Sequence, residues 1–219
     1  MKVEKLWITP DPEYQIVRSA RICYNSMDKI DSTWEMVGLR KTPEGKMQLS
    51  YPVMKVSLGK NDKELLEKLV SKKHGMALRF ASAAFSVSGI SRVCSHQLVR
   101  IAHFGILQRS QRYVEESSAN MVLSEDFPDK YKPALADLHK EAQDFYEEMV
   151  RNGVPKEEAR YALLNGTETA LNLSANFQAW SHFFSIRLQD KVQKETYEVA
   201  RELWRQLYIE APTVFGKFK

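Results

Sequence analysis

The sequence predicts a fold that mixes a few strands with several long helices. Residues 2–8 alternate weakly between apolar and polar side chains, and residues 81–87 form a short apolar run, as strands do. Residues 132–152 and 191–209 instead repeat their apolar residues at helical spacing. A chain of 219 residues can bury a substantial core, and no linker or low-complexity segment divides it, so we expect residues 1–219 to form one domain.

Local signals predict the elements of the first third of the chain. An Asp-Pro pair, with Asp11 as the cap, is typical of a helix start and predicts a helix over residues 12–26. Residues 27–59 are predicted to be irregular, with a turn at residues 42–45 and, over residues 47–58, short strands that Pro52 interrupts.

Three more helices are predicted from start signals and periodicity. The Asn-Asp-Lys-Glu run at residues 61–64 resembles a capping box and opens a helix to about Lys73. Pro155 opens a short helix, and residues 167–190 are predicted to form a longer one.

Polar groups on two faces of that longer helix favour an obligate oligomer. One face holds four residues within about 40° of a common line: Asn172, Asn176, Phe183 and Arg187.

Bulk composition narrows the function classes. Hydrophobic residues make up 43% and charged residues 27% of the chain, which is ordinary for a soluble globular protein. The formal net charge of +4 suits a small anionic ligand and is too weak to indicate nucleic-acid binding. Two cysteines and widely spaced histidines predict neither a disulfide framework nor a metal site. No apolar run has the character of a signal peptide or a membrane span, so we expect a reduced, cytoplasmic location and no membrane partner.

One long stretch of the chain lacks acidic residues. From Lys68 to Val114 there is no Asp or Glu, whereas eight residues are Lys or Arg. With 28 acidic residues in 219, an even distribution would place about six of them there. A bound anion explains the absence, because guanidinium groups match phosphate and carboxylate oxygens in pairs. A basic solvated face is the alternative. We favour the anion because the arginines are interleaved with apolar residues.

The spacing within this stretch predicts a binding site for a small ligand. Gln97 and Arg100 are three residues apart and share a face if the segment is helical. Gly105 offers a break, after which residues 108–113 read as a polar loop with amide, hydroxyl and guanidinium donors. A glutamine can pair with a nucleobase edge, and Arg100 and Arg112 would suit a phosphate.

The order of these residues resembles the signature of the flavin-dependent thymidylate synthases, the ThyX family. His-Gln-x-x-Arg is followed after nine residues by Ser-x-Arg-Tyr, so that five positions match: Gln97, Arg100, Ser110, Arg112 and Tyr113. Residues 9–26 resemble the opening of the same family. Further matching positions lie before and after the signature: His74, Arg160, Asn176, His182 and Arg187. Five positions depart from the family's pattern on the flavin side: Arg79, Phe80, Ile101, Ala102 and Gln178.

The resemblance implies an α+β fold in which an antiparallel sheet packs with several long helices. It implies a homotetramer that carries out reductive methylation of dUMP to dTMP with FAD, NADPH and methylenetetrahydrofolate. Ser110 and Arg187 are the implied catalytic residues. The implied dUMP ligands are Gln97, Arg100, Gln108, Arg109, Ser110, Gln111, Arg112, Arg160 and Arg187. The implied FAD ligands are His74, Asn176, Gln178 and His182.

The departures keep two alternatives open. One is an enzyme acting on a pyrimidine nucleotide with a changed second step, such as hydroxymethylation. The other is a nucleotide-binding protein that has lost the flavin. Cys94 could also serve as a nucleophile if Arg92 and His96 lowered its pKa, but a lone cysteine among apolar residues is more often part of the core.

Overall fold

The computed structural model describes residues 1–41 and 47–218, with the side chains of residues 36–41 and 47–54 left aside. Its strands are β1 (Lys2–Ile8), β2 (Thr33–Lys41), β3 (Met47–Ser57), β4 (Ser82–Ser91), β5 (Gly105–Gln108) and β6 (Glu168–Asn176). Its helices are α1 (Pro12–Cys23), α2 (Lys60–Ser71), α3 (Arg92–Leu98), α4 (Lys132–Arg151), α5 (Lys156–Ala159), α6 (Phe177–Arg187), α7 (Lys194–Glu210) and α8 (Pro212–Phe215). Short 3-10 turns follow α2 at Ala77–Phe80 and α5 at Arg160–Ala162.

Four strands form one antiparallel sheet in the order β1-β4-β6-β5. Phe85 of β4 lies opposite Lys5 of β1 and Leu173 of β6, and Ile106 of β5 lies on the other side of Leu173. β2 and β3 pair only with each other among the described strands. The predicted α+β class with an antiparallel sheet and several long helices is therefore confirmed.

The core lies where α6 and α7 pack against the sheet. Trp180 of α6 is fully buried, and its ring meets Phe85 edge-on at 5.4 Å between centroids. The indole Nε1 of Trp180 donates to the carbonyl oxygen of Ala83 at 3.2 Å, so its polar atom is satisfied inside the core. β1 and β6 pair with the two edges of β4, while α3 and α7 contact it. Most of its side chains are buried, which agrees with the apolar run seen in the sequence.

The start of α1 and the start of α2 differ in detail from the prediction. Asp11 is the N-cap residue of α1 as predicted, but with a φ of 46° its side chain makes no capping hydrogen bond; its carboxylate accepts from the amide of Val56 in β3 at 3.1 Å. α1 ends at Cys23 rather than near residue 26. The amides at the start of α2 donate to the carboxylate of Asp31, and Asp62 is buried against Arg21, so no capping box forms there.

The predictions for two longer segments differ from the structure. Residues 27–59 are not mainly irregular, because they hold the paired strands β2 and β3; a strand does lie at residues 47–57 as predicted, but Pro52 lies within it and does not interrupt it. The turn at residues 42–45 lies outside the described residues. Residues 167–190 do not form one helix, because β6 occupies Glu168–Asn176 before α6 begins. The helices over 132–152 and 191–209 and the strands over 2–8 and 81–87 are confirmed within a few residues.

The alternation of buried and exposed side chains explains why residues 168–176 form the strand β6. Leu171, Leu173 and Ala175 are buried and alternate with more exposed neighbours, which is the two-residue period of a strand. Asn172 and Asn176 therefore share a strand face and do not continue the face of Arg187 on α6. No helix in the described part of the chain is long and apolar enough to cross a bilayer.

Candidate functional site

A basic cavity opens between α3 and the segment that follows α5. Its volume is about 280 Å³, and Arg92, His96, Gln111, Arg160 and Asn165 supply its polar lining. The cavity forms because the first amides of α3 donate to the carbonyl oxygens of residues 165 and 167, at 3.1 Å each. Burial lowers the pKa of Arg92; the negative charge of Glu116 opposes this, and the positive charges of Arg160 and Arg109 act with burial. Two guanidinium groups, those of Arg92 and Arg160, thus face one concave site, which favours an anionic ligand.

Arg112 is connected to this cavity by Glu157, which contacts both Arg112 and the cavity residue Arg160. Its Nε donates to a carboxylate oxygen of Glu157 at 2.7 Å, while the Nε of Arg160 donates to the backbone oxygen of the same Glu157 at 3.0 Å. Two arginines from different parts of the chain therefore converge on one residue of α5. Ser110 is close by, since its hydroxyl oxygen accepts from the amide of Arg112 at 3.2 Å.

Two of the predicted ligands make internal contacts. Arg109 donates to the carboxylate of Glu116 at 3.0 Å and also to the backbone oxygen of Glu168. The side chain of Glu116 is only 3% exposed, so this is a largely buried ion pair. The side-chain amide of Gln108 donates to the hydroxyl oxygen of Ser95 at 2.9 Å. These side chains anchor β5 and the residues after it to the sheet and to α3.

A second group of predicted ligands lies at the end of α6. Arg187 donates to the backbone oxygen of Gln97 at 2.5 Å, and its Nε is buried without a partner among the described residues. Burial lowers the pKa of Arg187, and the nearby charge of Arg100 lowers it further. Arg100 itself is exposed and forms no hydrogen bond or ion pair with any residue that the structure describes. The side-chain amide of Gln97 donates to Gln193.

The predicted flavin ligands form a third group, where the 3-10 turn Ala77–Phe80 meets the start of α6. The Nε of Arg79 donates to the side-chain oxygen of Gln178. Gly75 allows this approach, because a Cβ there would come within 2.6 Å of Gln178 Nε2. His74 and His182 are exposed nearby in the chain, and Asn176 caps α6 by accepting from the amide of Ala179 at 3.0 Å.

Cys94 belongs to the core. It is fully buried, and burial together with the charge of Glu195 raises the pKa of its thiol to about 12. A thiol with that pKa is protonated at neutral pH, so the alternative of a cysteine nucleophile is not supported. The described residues contain no cluster of three or more His, Cys, Asp or Glu side chains that could hold a metal ion.

The chain is similar to proteins of one known family. The family model described as "Thymidylate synthase complementing protein" matches residues 6–213. The flavin-dependent thymidylate synthase of Geobacter sulfurreducens is 33% identical over 219 residues, covering 98% of this chain and 85% of that protein. The enzyme of the same description from Mycobacterium marinum is 34% identical over 171 residues, covering 70% of this chain and 68% of its own.

The chain belongs to the thymidylate synthase complementing protein family. A crystal structure of thymidylate synthase X from Helicobacter pylori, which holds FAD and dUMP, has the same fold with a TM-score of 0.75. The two chains are 18% identical, and the match covers 100% of this chain and 99% of the other.

The departures from the family's pattern have structural counterparts here. Ile101 is 8% exposed and packs in the hydrophobic core, so an apolar side chain suits its surroundings. Ala102 is exposed. Arg79 and Gln178, two of the departing positions, contact each other, so a guanidinium reaches the place of Gln178 from residue 79.

Sequence reasoning missed three polar residues of the cavity lining, Arg92, His96 and Asn165. It also missed two carboxylates that pair with nearby arginines, Glu116 and Glu157. Arg92 and His96 are four residues apart on α3, and that spacing inside the acid-free stretch was the available signal. Glu116 and Glu157 lie outside the stretch, and only the fold brings them to Arg109 and Arg112. No local pattern could have found those two contacts.

Proposed function

We propose that this protein is a flavin-dependent thymidylate synthase that methylates dUMP reductively to dTMP, with FAD, NADPH and methylenetetrahydrofolate. The observation that carries the proposal is the convergence of Arg112 and Arg160 beside a basic cavity. The volume of the cavity and the positive charge of its arginines suit a nucleoside monophosphate. The similarity to enzymes of that description, and to a solved relative that holds dUMP and FAD, supports it.

In the proposed role, the phosphate is held by the guanidinium groups of Arg112 and Arg160 and by the hydroxyl of Ser110. Charge-assisted bonds of this kind fix both the position and the orientation of a phosphate. Gln111 is buried and lines the same cavity, so its amide is a candidate partner for a base edge. The Nε of Arg187 is buried and has no partner among the described residues, and we assign this side chain the stabilisation of charge that develops on the uracil ring.

The residues at the start of α6 fit a flavin. They offer a cation at Arg79, an amide at Gln178, and imidazoles at His74 and His182. Beside them, Phe80 is 62% exposed, which leaves apolar surface for a flat ring. FAD, when bound, supplies the hydride chemistry that the side chains lack. The protein's own part is to hold the pyrimidine and the one-carbon donor in reach and to keep water out.

An assembly of four chains belongs to the same proposal. Within one chain the predicted ligands lie in three separate groups, and one chain therefore offers each ligand only part of a site. Large apolar side chains around β5 and the basic cavity are exposed: Leu107 at 76%, Tyr113 at 76% and Tyr161 at 86%. Contact with neighbouring copies would bury them and bring the groups together. A monomer at micromolar concentration in light scattering would refute the tetramer.

The proposed protein is a single domain over residues 1–219 that works in a reduced compartment such as the cytoplasm. Its two cysteines support the compartment, because Cys23 and Cys94 are both unpaired thiols.

Calorimetry with dUMP tests the substrate. We expect dUMP to bind far more tightly than inorganic phosphate, and Arg160→Met to weaken dUMP binding at least tenfold, since a charge-assisted bond contributes about 1.5–3 kcal/mol. Arg100→Ala should have a small effect if this exposed side chain stays in water and a large one if a neighbouring chain buries it. Equal affinity for dUMP and phosphate would refute the substrate assignment.

The absorbance spectrum of the pure protein, followed by a titration with FAD, tests the cofactor. Binding of dUMP without any binding of FAD would favour the alternative of a nucleotide-binding protein. If FAD binds, the mass of the nucleotide product separates methylation from hydroxymethylation.

A further inference from the structure

Glu157 occupies the point where two arginines of the basic site converge. Its carboxylate lies 2.7 Å from the Nε of Arg112, and its backbone oxygen lies 3.0 Å from the Nε of Arg160. The carboxylate of Glu157 therefore occupies the position in which an anionic ligand would contact the guanidinium of Arg112. The stretch from residue 68 to residue 114 has no acid of its own, so this negative charge comes from a distant part of the chain.

The ion pair is exposed, which makes it easy to displace. The side chain of Arg112 is 54% exposed and that of Glu157 is 45% exposed. Exposed pairs contribute little to stability, because water competes with them and salt screens them. The neighbouring pair of Arg109 with Glu116 is different, since Glu116 is only 3% exposed. Of these two pairs, the one with Glu157 can therefore open at low cost.

We propose that Glu157 is an internal competitor for the phosphate of the nucleotide and thereby sets the affinity and the charge selectivity of the site. This inference rests on the proposed function. A dianionic phosphate binds Arg112 more strongly than a carboxylate does and displaces Glu157 from it. A neutral nucleoside gains nothing from that exchange, so the pair stays closed against it. The carboxylate also repels a phosphate that approaches while the pair is closed.

A merely structural role for Glu157 would have the opposite effect. α5 is held over the residues after β5 by a second ion pair, Lys156 with Glu115 at 3.6 Å, and Lys156 also donates to the backbone oxygen of Tyr113 at 3.4 Å. If Glu157 served to hold α5 in place, its removal would loosen the site and weaken binding. The direction of the change in affinity therefore separates the two roles.

Calorimetric titration of dUMP into the full-length protein tests the proposal. Glu157→Gln keeps the shape of the side chain and removes its charge, and Glu157→Ala is the second variant. Glu115→Gln is a matched control that breaks the other ion pair of α5. Glu158→Gln is a control for charge alone, since Glu158 is exposed and has no side-chain partner among the described residues.

We expect Glu157→Gln to bind dUMP about three- to tenfold more tightly, with the gain shrinking at high salt. The two control variants should stay within about twofold of the wild type. Deoxyuridine, which lacks the phosphate, should bind both forms equally or to neither. Unchanged or weaker dUMP binding by both Glu157 variants overturns the proposal. If the wild type and every variant fail to bind dUMP, the proposed function itself is refuted.

Discussion

Replacing Arg109 by methionine separates a structural role from a role in ligand binding. Arg109 was predicted to bind the substrate, yet its guanidinium is paired with Glu116, whose side chain is 3% exposed. Removing one partner of a buried pair costs about 3–5 kcal/mol, because the other charge stays buried. Two features reduce that cost here: Arg109 is itself 28% exposed, and Arg92 is close enough to attract Glu116. We therefore expect Arg109→Met to lower the free energy of unfolding by about 2–3 kcal/mol.

The assay is urea unfolding followed by tryptophan fluorescence, at one protein concentration for all forms. Its pH dependence gives a second check. Burial raises the pKa of Glu116 and Arg109 opposes that rise, so the variant should have a still higher pKa at this carboxyl. A carboxyl with a raised pKa in the folded state stabilises the fold below its unfolded pKa, and that contribution is lost as pH rises through the folded pKa. The deficit of the variant should accordingly be largest at neutral pH and shrink as the solution is made acidic.

Arg160→Met is the control for ligand binding. Its Nε donates only to a backbone oxygen and no carboxylate partner lies among the described residues, so the free energy of unfolding should change by less than about 1 kcal/mol, while dUMP affinity should fall. A result in which Arg109→Met keeps its stability within about 0.5 kcal/mol and loses dUMP binding would refute the structural role of Arg109.

Two further predictions concern groups outside the site. Burial raises the pKa of Glu13, so Glu13→Gln should increase the free energy of unfolding at neutral pH, and the increase should shrink as the solution is made acidic; urea unfolding at a neutral and an acidic pH would expose an error in sign. Cys23 is exposed whereas the Cys94 thiol has a pKa of about 12, so iodoacetamide should alkylate Cys23 alone in the folded protein. Mass spectrometry of a digest reads this out, and rapid labelling of Cys94 would contradict its burial.

The elements predicted correctly were those whose apolar residues recur at a single clear spacing. α4 and α7 both repeat apolar residues at helical spacing for many turns, which predicts a helix whether or not the stripe is covered. Within the chain α7 buries its stripe, whereas only His139 and Tyr146 of α4 are buried. β6 was missed because its polar residues, Asn172 and Asn176, are four apart, a spacing that suits a helix face as well as a strand face. The alternation of Leu171 and Leu173 was the better guide, since both point into the core.

For the site, the sequence predicted which residue types gather near the anion and not how each one is used. Arg109 and Arg112 are three positions apart and have the same chemistry, yet one faces a buried carboxylate and the other an exposed one. That difference depends on where Glu116 and Glu157 come to lie after the whole chain has folded. Contacts across 45 residues of sequence, such as Arg112 with Glu157, are set by the packing of α5 and not by local pattern.

Contacts between β1 and α1 on one side and α7 and α8 on the other connect early and late parts of the chain. These contacts can form only after the late residues have been synthesised. The carboxylate of Glu13 on α1 accepts from the amide of Thr213 at 2.7 Å, and Lys5 of β1 is paired with Glu210 of α7. During synthesis β1 and α1 emerge long before these partners are made, so their apolar faces stay exposed to solvent until then. Such long-range closure makes folding slow, so the growing chain should depend on chaperones until its last two helices are released.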